Sequence, residues 1–350
     1  MPPQTRRVLR FIEPKRVSVD TEPLTPPSED EVTVETVFSA VSPGTETLVY
    51  RGEIPSGRTG DSAVDSLSEG LEFPLRYGYA CVGRISAVGM ALSDEWLDRR
   101  VFAFRPHVSH FTATPDELIP LPEEVSWMEG VLIPNTETAV NLVMDTAPVL
   151  GENIVVFGQG VVGLLTTALL ARHPLGALYT VEPKAARRER STAFGADRSF
   201  PPDAGDALSD ALDLSHHGPQ SVEGVAAEGA DAIIELSGRP GVLNQALEII
   251  GFDGRILLGS WYGTRRAPID LGERFHRSRV SIVSSQVSTI ASKYRGRWNK
   301  DRRMNTVLDL LPEMDAQTLI GEPVSIHQAP VIYDRLHQGD AQLQPIFKYT

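Results

Sequence analysis

The chain of 350 residues has one cysteine, lysine only at positions 15, 184, 293, 300 and 348, and no apolar run near the roughly 18 residues that a membrane span needs. A lone cysteine, Cys81, excludes an intrachain disulfide and any zinc shell built from several thiolates; it reads as a small core residue. The N-terminus, Met1 to Arg7, leads into proline and charge rather than the apolar core of an export signal, so a cytoplasmic protein is expected. Positive charge is in short supply. The formal net charge of -13 argues against general binding to a nucleic-acid phosphate backbone. Arginine carries most of the positive charge that remains, which fits either a salt-adapted cytoplasm or a GC-rich genome. Internal repeats and low-complexity tracts are absent. The hydrophobic share of 41% and charged share of 23% are those of an ordinary globular enzyme, and the length predicts two domains.

The most informative segment that is present runs from Asn153 to Leu165: an apolar strand, a turn of Gly158-Gln159-Gly160, then Val161-Val162-Gly163 opening an apolar helix. This is the pattern of a dinucleotide grip. Gly158 permits the tight turn, Gly160 lets backbone approach a pyrophosphate, and Gly163 lets the helix pack closely on the strand. The helix N-terminus then offers N–H groups and partial positive charge to the phosphates. A second strand at Ala177–Val181 ends in Glu182, about 20 residues on, where an acid bonds an adenosine ribose. Glu182 favours NAD, since a 2′-phosphate would meet like charge; Lys184, Arg187 and Arg188 leave NADP possible.

Before this segment, strand patterns at 7–12, 31–40 and 80–88 are separated by proline and glycine, which predicts an irregular β domain. Residues 51–72 lack periodicity and read as a long surface loop. A helix is expected over about 135–144, followed by alternating strands and helices: helices near 187–194 and 241–250, strands near 232–236, 255–260 and 280–284. Beyond 285 the pattern predicts a helix at 302–311 and strands at 323–326 and 343–349.

A glycine fingerprint that begins in mid-chain, after a β-rich segment, resembles the medium-chain dehydrogenase/reductase family. The resemblance implies an α/β protein with a GroES-like β-rich catalytic domain over 1–150. A Rossmann doubly wound parallel sheet would follow over 151–285, with a return to the catalytic domain over 286–350. It also implies NAD or NADP as cofactor, a small-molecule substrate and a homodimer built on the strand at 280–284. Residues 229–235 and 254–259 resemble the family's fourth and fifth Rossmann strands. Ser237, Ser260-Trp261 and Ser285-Gln286 then fall where family members line the nicotinamide end.

The zinc motifs are altered. Where zinc-dependent members carry Cys-Gly-Thr-Asp, this chain has Pro43-Gly44-Thr45-Glu46; the Gly-His-Glu segment is Gly78-Tyr79-Ala80, and the third ligand position falls at or near Pro134, beside Asn135. Proline, tyrosine and proline do not make a zinc shell of thiolate, imidazole or carboxylate, so no metal is expected. Ser42 to Glu46, Tyr50 to Pro55 and Tyr77-Gly78-Tyr79 are most similar to the bacteriochlorophyllide dehydrogenase group. Members of that group oxidise a hydroxyethyl substituent on a chlorin-type ring with NAD.

Hydride transfer from an alcohol also requires removal of the hydroxyl proton, so a site without zinc needs another acid or base. Thr45 stands at the family's relay position, Tyr79 offers a phenol, and Glu46 is either its orienting group or the base. The structural alternative is that Tyr79 fills vacated space and Glu46 caps a turn. His107 is a further candidate base, with His110 three residues on. Tyr50, Arg51 and Asn135 are candidate substrate contacts. Arg295 and Arg297, in the basic and aromatic run 293–303, would suit an anionic substrate. The expected activity is hydride exchange between nicotinamide and a secondary alcohol or ketone. A quinone or enoyl reductase using NADPH and an inactive nucleotide-binding regulator are the alternatives.

Overall fold

Two β-rich stretches flank an alternating one, and the computed structural model describes them over residues 5–55, 70–214, 228–339 and 343–349. The described residues form two units, Met1–Pro134 with Met304–Thr350, and Asn135–Arg303. These units divide at 134 and 303, whereas the resemblance implied boundaries near 150 and 285. Leu142 of helix 133–146 shares a core with strands of the parallel sheet, and in the segment 286–303 Tyr294 and Arg303 bond to that helix. Most of the expected loop at 51–72 lies outside the described residues.

In the first unit, β1 (Thr5–Glu13) and β2 (Arg16–Pro23) make an antiparallel hairpin. Next come β3 (Val32–Ala40), α1 (Thr45–Arg51), β4 (Cys81–Val88), β5 (Arg100–Ala103), β6 (His110–Ala113), β7 (Ile119–Pro120) and α2 (Trp127–Gly130). The helix α3 (Ile133–Thr146) leads into the second unit. There β8 (Asn153–Phe157), α4 (Val161–Leu170), β9 (Ala177–Val181), α5 (Ala185–Ala193), β10 (Arg198–Phe200) and α6 (Gly205–Ala211) make the first half. The second half is β11 (Ala230–Glu235), α7 (Val242–Ile249), β12 (Ile250–Leu258), α8 (Arg274–Arg277) and β13 (Ser281–Ser284). The chain returns through α9 (Lys300–Leu310) to β14 (Val324–Ser325), α10 (Ala329–Gln338) and β15 (Ile346–Lys348).

The second unit's six strands are parallel in the order β10-β9-β8-β11-β12-β13. This is the doubly wound order in which a ligand binds beyond the strand C-termini, at the reversal between β8 and β11. β8 is central and buried on both faces, so it reads as an uninterrupted apolar run. α4, with Leu164, Leu165 and Leu170 fully buried, covers it, and each such leucine contributes about 1.5–3 kcal/mol relative to exposure.

In the first unit the sheet order is β14-β15-β3-β4-β5-β7, with β6 also paired to β3. Antiparallel register sets Ser39 of β3 opposite Cys81 on one side and Phe347 on the other. β2, α1 and α10 were not expected from sequence. α1 is seven residues long and hidden behind a proline–glycine turn; α10 begins at an alanine–proline step. Their buried faces meet: Leu48, Val49 and Tyr50 of α1 share a core with Ile326, Tyr333 and Leu336 from the 3-10 turn and α10. Among the described residues no helix is long and apolar enough to cross a membrane.

Candidate active site and dinucleotide turn

Gly158 has φ +89°, and a Cβ there would come within 2.7 Å of the backbone of Leu236 and Ser237, so glycine alone fits. At Gly163 a Cβ would stand 2.0 Å from the carbonyl oxygen of Gly158, which is how closely α4 approaches the turn. Gly160 differs. It caps α4 with extended backbone (φ −73°, ψ −170°), and an added Cβ would meet nothing within 4 Å. The N–H groups of the first turn of a helix have no intrahelical acceptor, and the open space beside Gly160 lies at that end of α4. That geometry fits a dinucleotide pyrophosphate.

Gln159 turns its fully buried side chain inward, donating from Nε2 to the carbonyl of Gly158 (3.2 Å) and accepting from Thr167 Oγ1 (3.1 Å). Its role is to shape the turn. Glu182 is 3% exposed, and both oxygens already accept backbone N–H groups, Gln159 at 2.9 Å and Lys184 at 3.0 Å. The acid is thereby held against the glycine turn. The Arg188 guanidinium donates to the carbonyls of Glu182 (2.9 Å) and Pro183 (2.8 Å).

At the ends of β11 and β12, the buried Glu235 accepts from Ser237 N (2.7 Å), the Ser237 hydroxyl and Tyr262 OH (2.6 Å). Burial, then the Glu235 charge, push the Tyr262 phenol far above its ordinary range. Ser260 Oγ accepts from Gly238 N at 3.0 Å, while Trp261 is 40% exposed. Ser285 Oγ donates to Asp145 (2.7 Å) and accepts from Asn141 (3.0 Å), and Gln286 Nε2 donates to Ser288 Oγ (2.7 Å). These side chains are engaged in shaping the loops that carry them.

In the first unit the segments 42–46 and 77–79 border a buried polar network. Glu46, fully buried on α1, accepts through Oε1 from Ser42 N (2.7 Å), and through Oε2 from the Tyr333 hydroxyl. His107 Nε2 lies 3.0 Å from the same Oε2, and its Nδ1 lies 2.7 Å from Ser39 Oγ, which is 2.7 Å from Tyr349 OH. With Nε2–H donating to Glu46, Nδ1 accepts from Ser39 and Ser39 accepts from Tyr349. Three donors to one buried carboxylate offset a desolvation cost of several kcal/mol. Tyr79 hydrogen-bonds the side chains of Ser42 and Thr45; burial, then the negative charge of Glu46, raise its phenol pKa over the lowering effect of those bonds.

Burial first, and then Glu46, also push Tyr333 well above the ordinary phenol range. The Cys81 thiol, pushed by burial to about 12, is inert at neutral pH, as expected of a core residue.

The structure thus gathers four sequence-derived candidates, Thr45, Glu46, Tyr79 and His107. It adds Ser42, which opens the Ser42 to Glu46 segment but was given no role, and Ser39, Tyr333 and Tyr349, which carry no motif and read from sequence as ordinary core residues. His107 is no solvated loop residue: Leu9 N donates to its carbonyl at 3.0 Å, and its side chain is enclosed. His110 is separate, half-buried on β6 and bonded to Ser109 Oγ (3.0 Å).

Two substrate candidates are engaged within the fold. Tyr50 is 4% exposed and stacks on Tyr333 with centroids 5.5 Å apart, so its ring is core. Arg51 is bonded to the carbonyl of His337 (2.7 Å) and to its Nδ1 (2.9 Å), tying α1 to α10. Asn135 is buried at the start of the second unit. The basic run also divides. Arg303 is fully buried against Glu137 and Asn141, Arg302 lies over Trp298, and Arg295 donates from Nε to the Ile290 carbonyl; Arg295 and Arg297 are exposed.

No family model matches the sequence. Over 323 residues, 87% of this chain and 88% of the relative, it is 24% identical to D-guloside 3-dehydrogenase of Escherichia coli K12. It is 21% identical over 301 residues to sorbitol dehydrogenase of Bacillus subtilis, spanning 77% of this chain and 79% of that one. An alcohol dehydrogenase from E. coli CFT073, solved with NADH, shares the fold with a TM-score of 0.76 at 16% identity, over 99% of this chain and 100% of that chain. The fold is therefore that of medium-chain alcohol dehydrogenases, a GroES-like unit and a Rossmann unit. The chain is an NAD(P)-dependent dehydrogenase/reductase of that alcohol dehydrogenase type, an oxidoreductase acting on a CH–OH group.

Proposed function

We propose that the chain exchanges a hydride between NAD and a secondary alcohol or ketone without zinc, with Tyr79 bonding the reacting oxygen. The observation that carries this reading is the Tyr79 hydroxyl, held by Ser42 and Thr45 at the position where the resemblance implies a metal ligand. Pro43 and Pro134 have no side-chain donor, and a phenol is no substitute for imidazole and thiolate. The residues present do not fit a zinc shell. No group of three His, Cys, Asp or Glu side chains suited to a metal occurs among the described residues.

The nicotinamide, when bound, accepts or supplies the hydride. When a ketone is reduced, charge develops on its oxygen, and a phenol that stays protonated through neutral pH donates to it. Thr45 and Ser42 can then relay a proton from water to the phenolate, each hydroxyl taking up one proton as it passes one on. When an alcohol is oxidised, the same phenol must accept the alcohol proton as phenolate, a form that its raised pKa disfavours below pH 10.

Tyr79→Phe should lower kcat for reduction by about 10²-fold with little change in cofactor affinity. With the parent enzyme, reduction should be level through neutral pH and fall only above 10, while oxidation should rise toward alkaline pH. Steady-state kinetics across pH check both. Undiminished turnover by Tyr79→Phe would reject its role as the acid, and stoichiometric zinc in the active protein by elemental analysis would reject zinc independence.

The preference for NAD is supported by Glu182, locked by two backbone N–H groups, and by Arg188, occupied with carbonyls. Losing the bonds of a ribose diol to a carboxylate costs about 1.5–3 kcal/mol each, so kcat/KM should favour NAD over NADP at least tenfold. A strong NADPH preference would support the quinone or enoyl reductase alternative instead. For substrate, the two candidates are a glycoside, by analogy with the guloside enzyme that matches over 87% of the chain, and a hydroxyethyl-bearing chlorin, by a resemblance confined mainly to the catalytic half at Gly44–Glu46 and Tyr77–Tyr79. Comparing turnover of methyl D-guloside and a hydroxyethyl chlorin separates them.

A homodimer is supported by β13, the sheet's last strand, where Val283 is 42% exposed on an unpaired edge in the described chain. Light scattering should give twice the chain mass, and a monomer at micromolar concentration would reject the proposal.

A further inference from the structure

We infer that Tyr333 and the Glu46–His107 pair are positioning residues that fix the Tyr79 phenol from both ends; the inference rests on Tyr79 acting as proposed above. One end is the turn that holds the hydroxyl. Ser42 and Thr45, its two partners, bracket the turn Ser42-Pro43-Gly44-Thr45, and Glu46 closes that turn twice. Glu46 N donates to the Ser42 carbonyl at 3.0 Å, and its Oε1 accepts from Ser42 N at 2.7 Å. A carboxylate with a free χ torsion would let this turn breathe. Here the other oxygen is pinned by His107 and the Tyr333 hydroxyl, so the side chain has one arrangement.

The second end is the backbone next to Tyr79. Gly78 has φ +116°, and a Cβ at this position would lie 2.8 Å from the His107 ring, so the peptide before Tyr79 rests directly on the imidazole. The imidazole is fixed in turn by Ser39 and by Phe347, whose ring meets it edge-on with centroids 5.2 Å apart. Tyr333 is held by Phe11 at 5.1 Å and 74°, and by the stack on Tyr50. Each of these groups touches no reacting atom. Each restricts a group that sets the phenol, and misplacement of a catalytic group by about 1 Å can cost on the order of 10²-fold in rate.

The test places 3-fluorotyrosine at position 79 alone in the full chain and records its fluorine resonance. Tyr333→Phe removes one oxygen and leaves the aromatic stack, and Ser39→Ala frees the far side of His107 together with the Tyr349 hydroxyl. Both should shift or split the signal, whereas Arg84→Gln, on an exposed ion pair of the same unit, should leave it unmoved. An unmoved signal in both test variants overturns the inference whatever Tyr79 does in catalysis.

A kinetic cycle with NAD and methyl D-guloside or the hydroxyethyl chlorin, whichever turns over, supplies the readout that a merely structural role would not give. Tyr333→Phe should lower kcat between about 10- and 100-fold with the KM for NAD unchanged, and should cause no further loss once Tyr79→Phe is present. Equal losses in both backgrounds would overturn the positioning role. Full activity of Tyr79→Phe would instead overturn the catalytic reading of Tyr79, a failure that the fluorine experiment distinguishes. Should Tyr333→Phe not fold, Ser39→Ala carries both measurements.

Discussion

Gly160→Asp is expected to weaken NAD binding about 10³-fold while leaving the melting temperature unchanged or slightly raised. The two effects have opposite signs because one atom position serves two purposes. Gly160 is the N-cap of α4, its backbone is extended, and a Cβ there meets nothing within 4 Å. Aspartate is a better N-cap than glycine, by a few tenths of a kcal/mol. The same carboxylate would occupy the helix N-terminus that a pyrophosphate needs, taking its N–H donors and placing like charge against it. A loss of about 4 kcal/mol, the sum of a repulsion and one or two charge-assisted hydrogen bonds, corresponds to 10³-fold. NADH fluorescence titration beside a thermal melt checks it. Unchanged affinity would mean that the pyrophosphate does not lie on this turn. Gly163→Val supplies the contrast: with a Cβ 2.0 Å from a carbonyl, it should fail in folding before binding can be asked.

Arg303→Met is expected to destabilise the second unit by about 3–5 kcal/mol at neutral pH. Arg303 is fully buried, and its guanidinium donates to Glu137 Oε1 from Nε (3.1 Å) and NH2 (2.7 Å). It also bonds Asn141 Oδ1 (2.6 Å) and the Val287 carbonyl. Methionine fills similar length but leaves Glu137 as a buried acid with its main cation removed. Burial already raises the Glu137 pKa, and Arg303, by charge and hydrogen bond, opposes that rise.

Without the arginine the folded pKa climbs further. A group whose folded pKa lies above its unfolded value, about 4.3, contributes stability that is complete below the unfolded pKa and lost as pH rises through the folded one. The penalty in the variant should therefore be largest near pH 7 and shrink toward pH 4. Urea melts of parent and variant at both pH values measure it. A difference independent of pH would show that lost packing, not the stranded carboxyl, carries the cost.

The dinucleotide turn was legible because its parts are contiguous. Gly158, Gly160 and Gly163 lie within one strand–turn–helix, their roles follow from local backbone sterics, and Glu182 sits one strand further on. The parallel sheet was legible for the same reason, as each βα unit repeats a pattern within about 30 residues. α1 and α10 were not, being short and opened by proline steps where periodicity has little length over which to register. The packing of Tyr50 and Arg51 was not legible for a related reason. A motif match identifies a segment, but which side of a seven-residue helix faces the core depends on α10, nearly 300 residues away.

The sequence by itself determined the dinucleotide grip and the doubly wound half, since each rests on residue identity and short-range geometry, and it placed proline and tyrosine where the resemblance implies zinc ligands. Only the tertiary structure decided what surrounds that place. Ser39 and Tyr349 are separated by 310 residues yet lie 2.7 Å apart, and Tyr333 reaches Glu46 across 287. A tyrosine in a core helix and a serine at a strand end look the same in sequence whether or not they bond a buried acid. What distinguishes them is desolvation: once Glu46 and His107 are out of water, each of their polar atoms must find a partner, and the fold alone sets which ones are within reach.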